Sequence, residues 1–288
     1  MIKKNEPLAK YTAYKIGGPA DEFIDVHSKE ELVEAIEDAE KANKNYILLG
    51  GGCNTVFSDK GFRGLVIHNQ ANKIEVHGSQ VIAESGAMLG AVINKAREHE
   101  LGGIIKLIGL PGTIGGAIYG NAGAQGVEIG DFVVNCKIYR PDQGMIEEPK
   151  EYFQFSYRTS HLKTTHETVL EVKLDLPTLD PEDVSAEVMK FRAEKQPKGK
   201  VAGSFFKNPT ATEAAGYLID KCGLKGTRVG DIEISQKHGN WLMNIGNATQ
   251  KDVLEVAKMA KNKVKEKFGL DLEPENILLD EYGNKIDI

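Results

Sequence analysis

The chain has 288 residues, of which 41% are hydrophobic and 27% charged, the composition of a globular protein that can bury a core. Its 36 Lys and Arg against 42 Asp and Glu give a net charge of −6, which argues against a general nucleic-acid binder. The weakly polar stretch 101–120 contains Lys106, Pro111 and several glycines, so it is not a simple membrane span. The first residues form no apolar signal segment, and three cysteines without a Cys-x-x-Cys pair favour a reduced, cytoplasmic protein.

Hydrophobic periodicity and capping residues predict strands and helices that mix without a strict βαβ alternation. The predicted strands are Tyr46–Leu49, 64–68, Val133–Arg140 and 168–176. The predicted helices begin with a Ser28/Glu31 capping box, span 88–100, begin at Asp180-Pro181, and run from Thr249 and Asp252 to a stop at Gly269. This order favours an α+β fold over a doubly wound sheet. Residues 176–183 and 196–201 are the candidate boundaries between domains.

Two glycine-rich segments are candidates for binding a phosphate. The first, Gly50-Gly51-Gly52-Cys53-Asn54-Thr55, follows a short apolar strand and is neither a Rossmann fingerprint nor a Walker A loop. The second contains Pro111-Gly112-Thr113-Ile114-Gly115-Gly116 and continues to Asn121-Ala122-Gly123, where a tight turn would present N–H donors to an anion. One such segment alone is more often a structural turn. The two together favour a cofactor that carries a diphosphate.

Charge is also unevenly distributed along the chain. Between Lys190 and Asn240, ten Lys and Arg face five Asp and Glu, a local balance of +5 in an acidic protein. Such a region is typical of an anionic ligand, although a solvated basic face explains it equally well.

Seven short motifs occur in order along the chain. They are Tyr14-Lys15-Ile16-Gly17-Gly18-Pro19-Ala20, Gly50-Gly51-Gly52-Cys53-Asn54, Pro111-Gly112-Thr113-Ile114-Gly115-Gly116-Ala117, Asn121-Ala122-Gly123-Ala124, Tyr157-Arg158-Thr159-Ser160, Gly203-Ser204-Phe205-Phe206-Lys207-Asn208-Pro209 and Leu272-Glu273-Pro274-Glu275. Together they resemble the motifs of the UDP-N-acetylenolpyruvoylglucosamine reductase family, which acts in bacterial peptidoglycan precursor synthesis. The resemblance covers nearly the whole chain, and the length is similar to that of the shorter class of the family.

The resemblance implies an α+β fold with a two-lobed FAD-binding domain of the vanillyl-alcohol-oxidase (PCMH) type and an α+β substrate-binding domain. The implied segments are FAD lobe 1 (1–68), FAD lobe 2 (69–178), a substrate domain (179–270) and a C-terminal segment (271–288) that returns to lobe 1 and the active site. We expect non-covalent FAD, because the first loop holds no histidine. The chain departs from the family pattern at Cys53, where serine is usual, and at Asn276 and Asp280, which interrupt an apolar strand.

The resemblance also implies the reaction, the NADPH-dependent reduction of an enolpyruvyl ether to a lactyl ether. A hydride from flavin N5 would reach C3, Ser204 would give a proton to C2, Arg158 would hold the carboxylate, and Glu275 matches the catalytic glutamate of the family. From local sequence alone, a turn serine, a structural ion pair and an exposed acid are the commoner roles for these residues. A serine hydrolase is disfavoured, because Ser204 lies in no Gly-x-Ser-x-Gly elbow.

The remaining expectations concern contacts and partners. The predicted partners are a UDP-sugar substrate and NADPH, with neither nucleic acid nor membrane, and no metal site is predicted because the histidines lack zinc-binding spacing. A related FAD oxidase and a non-catalytic nucleotide-binding protein remain as alternatives. The predicted cofactor contacts are Gly50, Gly51, Gly52, Cys53, Asn54, Thr55, Pro111, Gly112, Thr113, Gly115, Gly116, Asn121, Ala122 and Gly123. The predicted substrate contacts are Tyr157, Lys207, Asn208, Tyr217, Lys225 and Arg228.

Overall fold

A computed structural model of the chain describes residues 1–165, 167–180 and 184–288. The chain forms two compact units. Unit 1 comprises Met1, Ile24–Gly51 and Ile67–Lys190, and unit 2 comprises Ile2–Phe23, Gly52–Val66 and Phe191–Ile288. The first glycine segment is therefore divided, with Gly50 and Gly51 in unit 1 and the rest in unit 2. The four segments expected from the sequence remain a prediction.

The described residues form short strands and helices in mixed order. The strands are β1 (Lys3–Pro7), β2 (Pro19–Val26), β3 (Tyr46–Leu49), β4 (Thr55–Val56), β5 (Phe62–Asn69), β6 (Ile74–His77), β7 (Gln80–Glu84), β8 (Gly123–Ala124), β9 (Val127–Glu128), β10 (Val133–Arg140), β11 (Gly144–Pro149), β12 (Thr168–Asp175), β13 (Arg228–Val229), β14 (Ile232–Ile234), β15 (Leu242–Asn244) and β16 (Ile277–Leu278). The helices are α1 (Lys29–Lys41), α2 (Leu89–Glu98), α3 (Ile114–Tyr119), α4 (Leu162–Thr165), α5 (Ser185–Lys195), α6 (Ala215–Lys221) and α7 (Gln250–Phe268). This content confirms the predicted α+β class.

The core of unit 1 lies on a five-stranded sheet of order β11-β10-β12-β7-β6, whose neighbouring strands are antiparallel. The strand predicted at 168–176 forms as β12, and its residues Val172 and Leu174 are buried with residues of α2 and α3. Leu89 and Val92 of α2 and Ile118 of α3 belong to the same core. This sheet and its helices support the second glycine segment, which runs into α3.

The core of unit 2 combines α6 and α7 with the three-stranded sheet β13-β14-β15. Separately, β16 pairs with β4 in parallel, which joins the C-terminal segment to the residues that follow the first glycine loop. The predicted strand after Glu275 therefore forms although Asn276 interrupts its apolar pattern. Asn276 is buried with its side chain hydrogen-bonded, as described below. A further sheet has the order β1-β2-β5-β3.

Helix caps test the sequence predictions most directly. Thr249 and Asp252 form the full capping box of α7, which ends at left-handed Gly269, as predicted. Ser28 accepts a bond from Glu31 N at 3.1 Å, but the Glu31 carboxylate accepts from His27 N, so the predicted box on α1 is only half formed. The predicted start of α5 at Asp180-Pro181 falls partly outside the described residues.

Candidate functional site

The two glycine segments approach each other within unit 1. A Cβ built on Gly50 would lie 2.7 Å from Thr113 Oγ1, so only glycine permits this approach. Thr113 caps α3, and its hydroxyl accepts from Gly116 N at 3.3 Å. Gly116 is exposed, and its nearest neighbour would be 3.5 Å from an added Cβ. The exposed backbone at Gly116 carries no side chain, so it is suited to close contact with a flat group such as FAD.

The start of α3 differs from the expectation in one respect. Ile114 N donates to Ala87 O at 2.8 Å and Gly115 N donates to Ser85 O at 2.9 Å, while Gly116 N is taken by Thr113. The expectation that these three amides present donors to a phosphate is wrong. They anchor α3, a helix of six residues, to the turn that follows β7, because a short helix cannot satisfy its own first amides.

The Asn121-Ala122-Gly123 segment positions an arginine in unit 1. Buried Asn121 donates to Ser156 O at 3.0 Å and to Glu128 Oε2 at 2.6 Å, and accepts from Gly130 N at 3.1 Å. These bonds leave the Asn121 amide committed to the protein. The carbonyl of Gly123 accepts from Arg158 Nη2 at 2.8 Å.

Arg158 lies at the tip of a two-residue turn closed by reciprocal bonds between Ser156 and Thr159, at 3.0 and 2.9 Å. Its φ of 55° is left-handed, which is uncommon for a residue with a long side chain. The guanidinium carbon lies 5.1 Å from the centre of the Tyr157 ring. The bond to Gly123 and the ring hold the planar group in place, as a site for a carboxylate requires.

In unit 2 the first glycine loop packs on an N-terminal turn. Gly52 has a φ of +60°, and an added Cβ would lie 1.9 Å from Tyr11 O, so glycine is required there. Burial raises the pKa of the Cys53 thiol, and Lys15 opposes that shift. Asn54 Nδ2 donates to Glu275 O at 3.0 Å. The loop predicted to bind a cofactor therefore also contacts the segment with the predicted catalytic glutamate.

A short ladder of backbone bonds brings Ser204 and Glu275 to neighbouring segments. Glu275 N donates to Phe205 O at 2.7 Å, and Lys207 N donates to Glu273 O at 2.9 Å. Phe206 forms an isolated bridge with Pro274 between these two bonds. Within the part of the chain that the structure describes, the Ser204 hydroxyl makes no hydrogen bond, so its proton is available to a ligand.

Sequence reasoning missed the asparagines that surround this ladder. Asn276 Nδ2 donates to Asn54 Oδ1 at 2.6 Å, and Asn276 Oδ1 accepts from Tyr14 at 3.1 Å. Complete burial raises the pKa of Tyr14, so its hydroxyl stays protonated and donates. Asn240 bonds the other edge of the Phe205-Phe206 segment. No sequence signal distinguishes these buried asparagines from the surface asparagines that are far commoner.

The predicted substrate contacts lie in unit 2, with the exception of Tyr157, and each of the three cations among them has an acidic partner. Their contacts are Lys207 with Glu273, Lys225 with Asp220 at 2.8 Å, Arg228 with Glu233 at 2.6 Å, Asn208 Oδ1 with Ala215 N at 3.1 Å, and the Tyr217 ring with Lys221 at 5.4 Å. The Lys225 and Arg228 pairs use two of the five acids in the basic region. The role of these residues as substrate contacts remains a prediction.

Known proteins similar to this chain share almost its full length. A family model for the C-terminal domain of UDP-N-acetylenolpyruvoylglucosamine reductase matches residues 195–279, and a model for an FAD binding domain matches residues 20–148. The reductase of Clostridium novyi is 39% identical over 95% of this chain and 91% of its own length. The chain belongs to the UDP-N-acetylenolpyruvoylglucosamine reductase family. The reductase of Caldanaerobacter subterraneus subsp. tengcongensis is 38% identical over 94% of this chain and 91% of its own length.

A solved structure supports the same assignment. The UDP-N-acetylenolpyruvylglucosamine reductase of Thermus caldophilus superposes with a TM-score of 0.82 at 34% identity, covering 96% of this chain and 98% of that one. The resemblance seen in the motifs is thereby confirmed, and so is the FAD-binding α+β fold. A member of this family with an FAD binding domain is an FAD-dependent oxidoreductase. Among the described residues, no helix has both the length and the apolar character needed to cross a membrane.

Proposed function

We propose that this protein reduces the enolpyruvyl ether of UDP-N-acetylglucosamine enolpyruvate to UDP-N-acetylmuramate, with NADPH as the reductant, in peptidoglycan precursor synthesis in the cytoplasm. The observation that carries the proposal is the Phe205–Glu275 bond, which holds Ser204 and Glu275 on paired segments of unit 2. The Ser204 hydroxyl has no partner within the described residues, as a proton donor to a substrate requires.

FAD held by the two glycine segments, once reduced by NADPH, would supply a hydride to C3 of the enolpyruvyl group, and negative charge would develop on C2 and the carboxylate. Ser204 donates its proton to C2, which is a strong base at that stage, and regains a proton from water. Arg158 binds the carboxylate through its planar fork, and it keeps its charge at any relevant pH. Glu275 donates its backbone N–H to Phe205, the residue that follows Ser204, and we assign its carboxyl group a supporting role in protonation at C2.

The residues of the two glycine segments are proposed to bind FAD without a covalent bond. Gly50 and Thr113 bring the segments together, and exposed Gly116 lets a flat group approach the backbone. Because the amides of Ile114 to Gly116 are already bonded, we propose that this segment contributes an exposed stretch of backbone at Gly116 rather than a set of phosphate donors.

The test is a pair of half-reactions on purified yellow protein, followed by flavin absorbance. NADPH should bleach the flavin, and anaerobic addition of the enolpyruvyl UDP-sugar should restore the colour much faster than oxygen does. Rapid recovery with oxygen and none with the UDP-sugar would instead indicate a related FAD oxidase. A protein that binds FAD but is not bleached by NADPH would contradict the proposed reductant.

A further inference from the structure

We propose that Asn240 is a positioning residue for Ser204, and that it fixes the serine through the backbone of Phe205 and Phe206. This inference rests on the proposed function, in which Ser204 donates a proton to the substrate. Asn240 lies between β14 and β15 and is 3% exposed. It makes three hydrogen bonds to the two residues that follow Ser204, and none of the motifs recognised in the sequence contains it.

The three bonds form a clamp on one edge of the segment. Asn240 O accepts from Phe205 N at 2.8 Å. The Asn240 side chain also bonds both backbone polar groups of Phe206. Its Oδ1 accepts from Phe206 N at 2.8 Å, and its Nδ2 donates to Phe206 O at 2.7 Å. Only a primary amide offers an acceptor and a donor at this spacing, so the Asn240 side chain replaces a paired strand.

The opposite edge of the same segment is bonded to the segment that contains Glu275. Phe205 O accepts from Glu275 N at 2.7 Å, and Lys207 N donates to Glu273 O at 2.9 Å. The Phe205-Phe206 segment therefore lies between Asn240 on one side and the Glu275 segment on the other. Both rings are buried, which further limits its movement. The separation of Ser204 from Glu275 is set by this narrow ladder.

Ser204 itself has little other support. Gly203, which precedes it, has a φ of +80°, and a Cβ built there would meet no atom within 4 Å. Ser204 therefore follows Gly203, which has no close packing neighbour, and precedes Phe205, which is hydrogen-bonded to Asn240. The backbone position of Ser204 therefore depends on the hydrogen bonds of Phe205 and Phe206, which include those to Asn240. A shift of about 1 Å in a catalytic group can cost roughly a hundredfold in rate.

Asn240 is itself fixed by neighbouring residues of unit 2. Its own N–H donates to His238 Nδ1 at 3.2 Å, and Gly239 packs against the Gly216 carbonyl, which would lie 2.6 Å from an added Cβ. Burial, together with Lys225, lowers the pKa of His238, so the ring is neutral near pH 7 and Nδ1 can accept this bond. The clamp is a fixed part of unit 2.

Asn244, four residues along the chain, provides a matched control. Like Asn240 it is buried, and its side chain makes three hydrogen bonds, where that of Asn240 makes two. It donates to Tyr14 O at 2.8 Å and accepts from Gly246 N at 3.0 Å and Ala248 N at 3.2 Å. None of these bonds reaches Ser204, Phe205 or Phe206. Replacing Asn244 by alanine removes more hydrogen bonds than replacing Asn240 does, and it removes none from the clamp.

The test compares Asn240→Ala, Asn240→Asp, Asn244→Ala and the parent holoenzyme. In Asn240→Ala we expect flavin reduction by NADPH at the parent rate and flavin reoxidation by the enolpyruvyl UDP-sugar slowed at least about tenfold, with substrate affinity unchanged. Asn240→Asp keeps the acceptor and loses the donor, so its rate of flavin reoxidation should lie between that of the parent and that of Asn240→Ala. Asn244→Ala should lower the melting temperature at least as much as Asn240→Ala does, but its flavin should be reoxidised at close to the parent rate.

Hydrogen exchange of the Phe206 amide, measured without substrate, gives a second readout. It should speed up in Asn240→Ala and remain as in the parent in Asn244→Ala. If the parent is reoxidised and Asn240→Ala is reoxidised just as fast, Asn240 has no positioning role. Equal slowing in Asn240→Ala and Asn244→Ala would also overturn the inference, because a general loss of stability would explain both. If the parent itself is not reoxidised by the UDP-sugar, the proposed function fails, and this inference fails with it.

Discussion

The two regions with the predicted catalytic residues hold them in different ways. In unit 2 the hydrogen bonds are made by Phe205 and Phe206, the residues after Ser204. Phe205 accepts from Glu275 N, and Phe206 donates to the side chain of Asn240. In unit 1 Arg158 occupies a left-handed turn, and its own guanidinium is bonded to Gly123 O at 2.8 Å. The position of Ser204 is therefore independent of its side chain, whereas the position of Arg158 depends partly on its side chain.

This difference determines what a substitution can reveal. Replacing Ser204 removes a hydroxyl and leaves the backbone as it was, so the measured change reports chemistry. Replacing Arg158 removes a charge, a planar fork and a structural bond together, so the change combines binding, chemistry and folding. Variants of Ser204 and Arg158 therefore test the two sides of this comparison.

Ser204→Ala should give the largest effect. Reduction of the flavin by NADPH requires no proton at C2, so this half-reaction should be unchanged. Reoxidation by the enolpyruvyl UDP-sugar should slow by at least about 100-fold, within the usual range for a positioned acid. Stopped-flow absorbance of the flavin separates the two steps, and the melting temperature should remain at the parent value. Equal slowing of both steps would indicate a displaced flavin, and unchanged reoxidation would assign the proton to another group.

Arg158→Lys should slow reoxidation on the order of a hundredfold, which corresponds to roughly 3 kcal/mol of lost transition-state stabilisation. Lysine keeps the charge, but its ammonium lacks the planar fork that binds a carboxylate with two parallel bonds while another N–H donates to Gly123 O. The variant should also unfold more easily than the parent, unlike Ser204→Ala. Arg63→Lys is the control, because Arg63 forms an exposed ion pair with Asp21 at 2.9 Å. Parent-like reoxidation by Arg158→Lys would show that the arginine is structural.

Asn54→Ala tests whether the loop assigned to the cofactor also supports the Glu275 segment. The change leaves Glu275 O without its donor at 3.0 Å and buried Asn276 Nδ2 without its acceptor at 2.6 Å. We expect the free energy of unfolding of the apoprotein to fall by about 2–3 kcal/mol. Chemical denaturation without FAD measures it, and Asn247→Ala, at an exposed position, should have no measurable effect. An apoprotein of unchanged stability would mean that Asn54 serves only a ligand.

The sequence allowed the strands β3, β5, β10 and β12, both ends of α7 and the family motifs to be predicted, because each depends on local patterns. The alternation in β12 and the caps of α7 are examples in which neighbouring residues alone determine the structure. Ser204, Arg158 and Glu275 were named through the order of whole motifs, since each residue alone has a commoner structural role.

The contacts that hold these residues could not be predicted, because they join positions far apart in the chain. Asn240 reaches Phe206 across 34 positions, and Asn276 reaches Asn54 across 222. A buried asparagine is recognisable only when its partners are known. The donors of α3 were misassigned for the same reason, since the carbonyls of Ser85 and Ala87 that accept from them lie in an earlier turn.

Gly115 and Gly116 separate the structural and cofactor roles of the second glycine segment. A Cβ on Gly115 would lie 2.8 Å from Ser85 O, so Gly115→Ala should destabilise the apoprotein by about 1–3 kcal/mol. Gly116 meets nothing closer than 3.5 Å, so Gly116→Ala should stabilise the apoprotein by roughly 0.5–1 kcal/mol through helix propensity.

Gly116→Ala, which should stabilise the apoprotein, should lower its affinity for FAD. If FAD packs on this residue, Gly116→Ala should weaken its binding about tenfold, or about 1.4 kcal/mol. Fluorescence titration of the apoprotein with FAD measures the change. Gly90→Ala is the control, because Gly90 lies in α2 and has no atom within 4 Å of an added Cβ. Parent-like FAD affinity of Gly116→Ala would remove this segment from the cofactor site.

The smallest effect is expected at Cys53, in the first glycine segment. Burial raises the pKa of the Cys53 thiol, so little of the nucleophilic thiolate is present near pH 7. We therefore expect no covalent bond between this thiol and the flavin, so the parent should release FAD intact on acid precipitation. Cys53→Ser should bind FAD within about twofold of the parent, or about 0.4 kcal/mol, since the change is nearly isosteric. Cys222→Ser, remote in sequence from the glycine loops, is the control. Flavin that stays with the precipitated parent but leaves Cys53→Ser would identify Cys53 as a covalent attachment site.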